Sequence, residues 1–130
     1  MKRERVGYFA GTDPVVLSSL ICDGYDTLPV SNGEDNHGVH VRRIDEHNRV
    51  QLLIGYLHKI FAVEDSDTRY QDIFRICSVY EVPLLVMVPG ELHDKARQLL
   101  ADPPEIVQLV DPSNTLAAAR EVLREVAKQG

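Results

Sequence analysis

The sequence predicts an α/β fold: one flavodoxin-like (Rossmann-like) three-layer domain over residues 1–130, with a five-stranded parallel sheet in the order 2-1-3-4-5. Three observations lead there. Short apolar runs alternate five times with segments of helical periodicity. The runs are almost continuously apolar, as strands buried on both faces are, instead of alternating apolar with polar. The second run contains a proline, which cannot donate to a ladder and so suits a sheet edge.

The elements follow in order. Val6–Ala10 is a first strand that stops at Gly11-Thr12. Asp13-Pro14 opens a helix, because an aspartate accepts hydrogen bonds from free N–H groups and proline is tolerated at the first helical position. Val16, Leu17, Leu20 and Ile21 recur at helical spacing up to Gly24, and Asp26–Val30, with Pro29, is the edge strand. A polar stretch, Ser31–Gly38, leads to a short helix from about Val39 to His47. Arg49–Phe61 fits helix nearly as well as strand, and within it Val50–Tyr56 is taken as a strand. Strand is preferred because a helix there leaves too few strands to cover the helices on both sides, and Gly55 weakens a helix. Asp67 caps a helix with an apolar stripe of Tyr70, Ile73, Phe74 and Cys77. Pro83 opens the strand Leu84–Val88, and a helix carrying Leu92, Ala96, Leu99 and Leu100 ends at Asp102-Pro103-Pro104. Ile106–Val110 is the fifth strand. Ser113 caps the last helix, whose Leu116, Ala119, Leu123 and Val126 face inward, while Glu121, Arg124, Glu125 and Lys128 form a solvated face.

Composition narrows the function. The 130 residues, 44% hydrophobic and 26% charged, suit one core. A net charge of -6 argues against a nucleic-acid or anionic-membrane surface. Met-Lys-Arg-Glu-Arg leads into a strand without an apolar signal core, and no run is long enough to span a bilayer. Cys22 and Cys77, with no CxxC pair, suggest reduced thiols and a cytoplasmic location.

In the order 2-1-3-4-5 a ligand crevice lies at the carboxyl ends of the strands, between the first and the third. Gly11-Thr12-Asp13 and Tyr56-Leu57-His58-Lys59 flank it, with Ser31–Gly38 beside them. Free N–H groups and a hydroxyl at a helix start can hold a phosphate or carboxylate. The same three residues also read as an ordinary cap, in which the Asp13 carboxylate repels an anion. Ser31–Gly38 is the densest polar segment of the chain, so it is either a hydrophilic loop or a site. Within it Asp35 and His37 could act as an acid/base pair, with His40, His47 and His58 nearby. His37 and His40 lack a matching downstream pair, so no metal is expected. No cofactor is indicated. Cys77 reads as core, and Cys22 has no basic neighbour to activate it.

From Phe9 to about Val86 the order of features resembles the methylglyoxal synthase-like domains. Ala10-Gly11-Thr12 looks like the phosphate loop of that family, Gly33-Glu34-Asp35-Asn36-His37 lines up with its aspartate motif, and Tyr80-Glu81-Val82-Pro83 matches the entry to a later strand. The resemblance implies that Asp35 takes the place of the catalytic aspartate and that Thr12, Ser31 and Gly33 lie near a phosphate. The family also includes regulatory domains that bind phosphorylated or nucleotide effectors. Here Glu34 replaces the second glycine of the motif, and Asn36-His37 replace its paired glutamines. The leading expectation is binding of a small polar, phosphorylated molecule by Gly11, Thr12, Asp13, Ser31, Asn32, Gly33 and Lys59, with His37 or His58 balancing charge. A lyase or isomerase using Asp35 as base, with His37 and His58, is the alternative. A non-catalytic assembly or regulatory subunit, a homo-oligomer among the options, is a third.

Overall fold

The apolar runs become strands of one parallel sheet. In the computed structural model, which describes residues 4–31, 38–44, 49–61 and 69–129, these are β1 (Arg5–Tyr8), β2 (Asp26–Ser31), β3 (Val39–His40), β4 (Leu52–Tyr56), β5 (Leu84–Met87) and β6 (Val107–Val110). Their order is β3-β2-β1-β4-β5-β6, with every neighbouring pair parallel.

Among the described residues the sheet thus has six strands instead of five, and its order differs from 2-1-3-4-5 by the two-residue strand outside β2. β2 is therefore not an edge. Its proline is accommodated because Pro29 is in register with Tyr8 of β1, while β3 pairs only with Val30 and Ser31, after the ring. Gly38 makes this third strand possible. Its φ is +78°, and a Cβ there would come 2.2 Å from the Pro29 carbonyl oxygen, a distance only glycine permits. The helix expected from Val39 to His47 is absent over its described part. Val39–His40 is strand, Val41–Arg43 is a single 3-10 turn, and Ile44 is extended; residues 45–48 lie outside the described residues.

Among the described residues, five α-helices cover the sheet: α1 (Pro14–Cys22), α2 (Leu57–Ile60), α3 (Tyr70–Tyr80), α4 (His93–Leu99) and α5 (Thr115–Gln129). Asp13 caps α1, its carboxylate accepting the Val15 N–H at 2.8 Å. Asp67, the expected cap of α3, lies outside the described residues. At the α3 start the Asp72 carboxylate accepts the Arg69 N–H at 3.1 Å. Ser113 does not cap α5. It lies inside a 3-10 turn, Pro112–Asn114, and the extended residue before that turn, Asp111, accepts the Ser113 N–H at 3.0 Å.

Two apolar layers hold the helices on. On one face Val16 and Leu20 of α1 and Ala119 and Leu123 of α5 meet Val6, Leu52 and Ile54. On the other, Ile73, Phe74 and Cys77 of α3 and Ala96 of α4 meet Leu53, Leu84 and Val86. Adjacent β4 residues thus feed opposite layers, which is why the run Leu52-Leu53-Ile54 is apolar without alternation. α4 buries Ala96 and leaves Leu99 exposed, and Leu92, in the 3-10 turn before it, is exposed as well. Among the described residues, no helix is long and apolar enough to cross a membrane.

Candidate functional site

β1 has β2 on one side and β4 on the other. The chain leaves β1 through α1, on one face of the sheet, and leaves β4 towards α3, on the other. Strand order therefore reverses between β1 and β4, and the two exits part at their carboxyl ends. In open α/β sheets that divergence leaves a crevice.

On the β1 side, Phe9 is buried, and its N–H donates to the Ile54 carbonyl at 2.9 Å. The Phe9 carbonyl in turn accepts the buried Thr12 hydroxyl at 2.8 Å. This bond folds Phe9–Thr12 into a tight turn, with Gly11 at φ +86° exposed at its tip. The Thr12 hydroxyl proton is committed inside the loop, and the Asp13 carboxylate to capping α1. Both residues shape the turn, which offers a ligand its exposed Gly11 backbone.

On the β4 side the strand ends at Tyr56, whose ring lies 5.7 Å from that of the exposed His58 in α2. Lys59 follows, half-buried. Ser31, at the carboxyl end of β2, is buried and in register with His40 of β3. The His40 ring accepts the Arg42 N–H at 3.1 Å, so it starts the 3-10 turn. Asn32, Gly33, Asp35 and His37 lie outside the described residues, as do the carboxylates of Asp45, Glu46, Glu64, Asp65 and Asp67.

The same edge carries cations. At the start of α3, the Arg42 and Arg75 guanidiniums lie 3.9 Å and 3.5 Å from the two oxygens of the Asp72 carboxylate. Two cations share one anion there, beside the positive end of a helix. Among the described residues, no group of three or more His, Cys, Asp or Glu side chains could hold a metal ion.

A polar constellation that sequence reasoning missed sits at the carboxyl ends of β5 and β6. The Asp111 carboxylate accepts the Gly90 N–H at 2.8 Å, the Ser113 N–H and the Ser113 hydroxyl. The Ser113 hydroxyl first, then the two N–H groups and the nearby His93, hold the Asp111 carboxyl below its usual range against the smaller opposing effect of burial. His93 bonds through its ring to the Val88 carbonyl at 2.8 Å. Because Ser113 donates to Asp111, this is a stitch between two loops and not a nucleophile with its base. The signal was present in Asp111-Pro112-Ser113, where two residues compete for one cap.

Cys77 lies in the core, as expected. Burial pushes the Cys77 thiol up to about 12, while Cys22 is exposed on α1. Cys22 lines a shallow groove of about 400 Å³ with Val15, Ser18 and Arg120. Arg120 closes onto Asp23 through two hydrogen bonds, 2.8 Å and 3.2 Å long.

Comparison of the chain with protein-family models, with curated proteins and with solved structures gives no match.

Proposed function

We propose that the protein binds a small anionic, phosphorylated molecule at the carboxyl edge of its sheet, between the Gly11 loop and His58-Lys59. The observation that carries this is the reversal of strand order between β1 and β4. The exposed Gly11 turn supplies backbone donors and His58 a ring N–H, while Lys59 and the arginines around Asp72 supply positive charge in a chain of net charge -6. The resemblance of Ala10-Gly11-Thr12 to the phosphate loop of methylglyoxal synthase-like domains points to the same edge. A lyase or isomerase would need Asp35 and His37. Both lie outside the described residues, so binding is the reading the geometry supports best.

Thermal unfolding in the presence of inorganic phosphate, triose phosphates and nucleoside phosphates tests it. A ligand at a hundred times its dissociation constant stabilises by about 2.7 kcal/mol, or about 10 °C for a domain of this size. Lys59→Ala and His58→Ala each reduce that shift. No shift with any compound of the panel defeats the proposal.

A further inference from the structure

At the opposite, amino-terminal end of the strands lies a second concavity, a groove of about 990 Å³. Pro83 and Ile106, just before β5 and β6, share its lining with Val122 and Val126 of α5. The same lining holds five exposed glutamates, Glu4, Glu81, Glu105, Glu121 and Glu125, against one arginine, Arg49. These residues come from five separate stretches of sequence and meet only because the parallel strands all start at this edge. β6 is the last strand of the sheet on this side, and its exposed Gln108 opens into the groove.

We propose that this groove docks a basic amphipathic segment of a partner protein. Apolar side chains of the segment would rest on Ile106, Val122 and Val126, and its lysines or arginines would meet the glutamates. Charge complementarity selects this occupant. A second copy docking groove to groove would bring five glutamates against five, a like-charge arrangement that suppresses association. A small metabolite is the less fitting guest, since parallel sheets place such ligands at the carboxyl edge. Lys128, 3.8 Å from Glu125 on the exposed face of α5, offsets only one of the five charges.

The test uses the full chain and a fluorescein-labelled short peptide with leucines and lysines at helical spacing. The control peptide carries glutamate in place of each lysine. The lysine peptide should bind, and its affinity should fall as salt is raised. The Glu121→Gln/Glu125→Gln double variant should bind it about tenfold more weakly or worse. Glu81→Asn should also weaken it, because asparagine keeps the left-handed backbone found at Glu81 (φ 55°) while removing the charge. Hydrogen exchange should slow in β6 and the second half of α5. Equal affinity for the acidic control, unchanged affinity in both variants, or protection confined to the carboxyl edge would overturn the proposal. Protection of this groove that rises with protein concentration in the absence of peptide would assign it to a second copy and overturn it as well.

Discussion

Gly55→Ala probes the floor of the candidate site. Gly55 lies in β4 one residue before the strand ends, and a Cβ there would come 2.8 Å from Cδ2 and 3.3 Å from Cβ of Phe9, and 3.1 Å from Cδ1 of Ile60. Both neighbours are buried at 2% and 0% exposure, so neither can swing into solvent. Overpacking of this kind costs about 1–3 kcal/mol, and the lower unfolded-state entropy of alanine returns about 0.4–1 kcal/mol. The net loss is about 1–2 kcal/mol, or about 4–8 °C in Tm for a chain of this length. The effect should not stop at stability. Phe9 is the residue whose carbonyl holds the Thr12 hydroxyl, so displacing it moves the Gly11 turn and weakens ligand binding. Adding Ile60→Val removes Cδ1, one of the three clashing atoms, and should recover part of the loss beyond additivity in a double-mutant cycle. The assays are thermal unfolding by circular dichroism and binding of the best phosphorylated ligand. An unchanged Tm for Gly55→Ala would refute the packing of Phe9 over β4, and with it the placement of the loop.

Two further outcomes follow from the same structure. Asp111→Ala unties Gly90 from the α5 start, so it should lower Tm at neutral pH. The folded carboxyl titrates below its ordinary 3.8, so its stabilisation is full above that value and is lost as the pH falls through the depressed folded value. The Tm gap between variant and parent should therefore close in acid, and a constant gap down the pH scale would contradict the assignment. Native-state alkylation should label the exposed Cys22 and spare Cys77, whose thiol burial pushes up to about 12; mass spectrometry reads this directly, and prompt labelling of Cys77 would contradict its place in the core.

The longer strands could be read from the sequence because burial on both faces writes itself locally, as in Leu52-Leu53-Ile54 or Leu84-Leu85-Val86. The cap at Asp13 was equally local, since donor and acceptor lie two residues apart. β3 was hidden because Val39-His40 is a strand only through pairing with Val30-Ser31, a contact that depends on Gly38 lying against Pro29. No periodicity reports such an approach, and Val41 and Ile44, three residues apart, mimic helical spacing. Pro29 was read as an edge marker because a proline disables one N–H, but the ladder to β3 begins at the next residue and never needs it. For the site, chain order was enough to bring Gly11 and His58 to one edge. It could not show that the Thr12 hydroxyl turns inward to Phe9, which shifts the expected ligand contacts from that side chain to the Gly11 backbone. The glutamates of the amino-terminal groove were invisible for a plainer reason: Glu4, Glu81, Glu105, Glu121 and Glu125 are scattered along the chain, and Glu121 and Glu125 read singly as a solvated helix face.

Amide chemical-shift mapping during titration with a phosphorylated ligand tests the central claim most directly. Binding at the switch point predicts the largest shifts at Gly11 and its neighbours and at Leu57, His58 and Lys59, with β6 and the second half of α5 unmoved. Shifts confined to the amino-terminal groove, or absent throughout at ligand concentrations that fill any site of millimolar affinity, would contradict it.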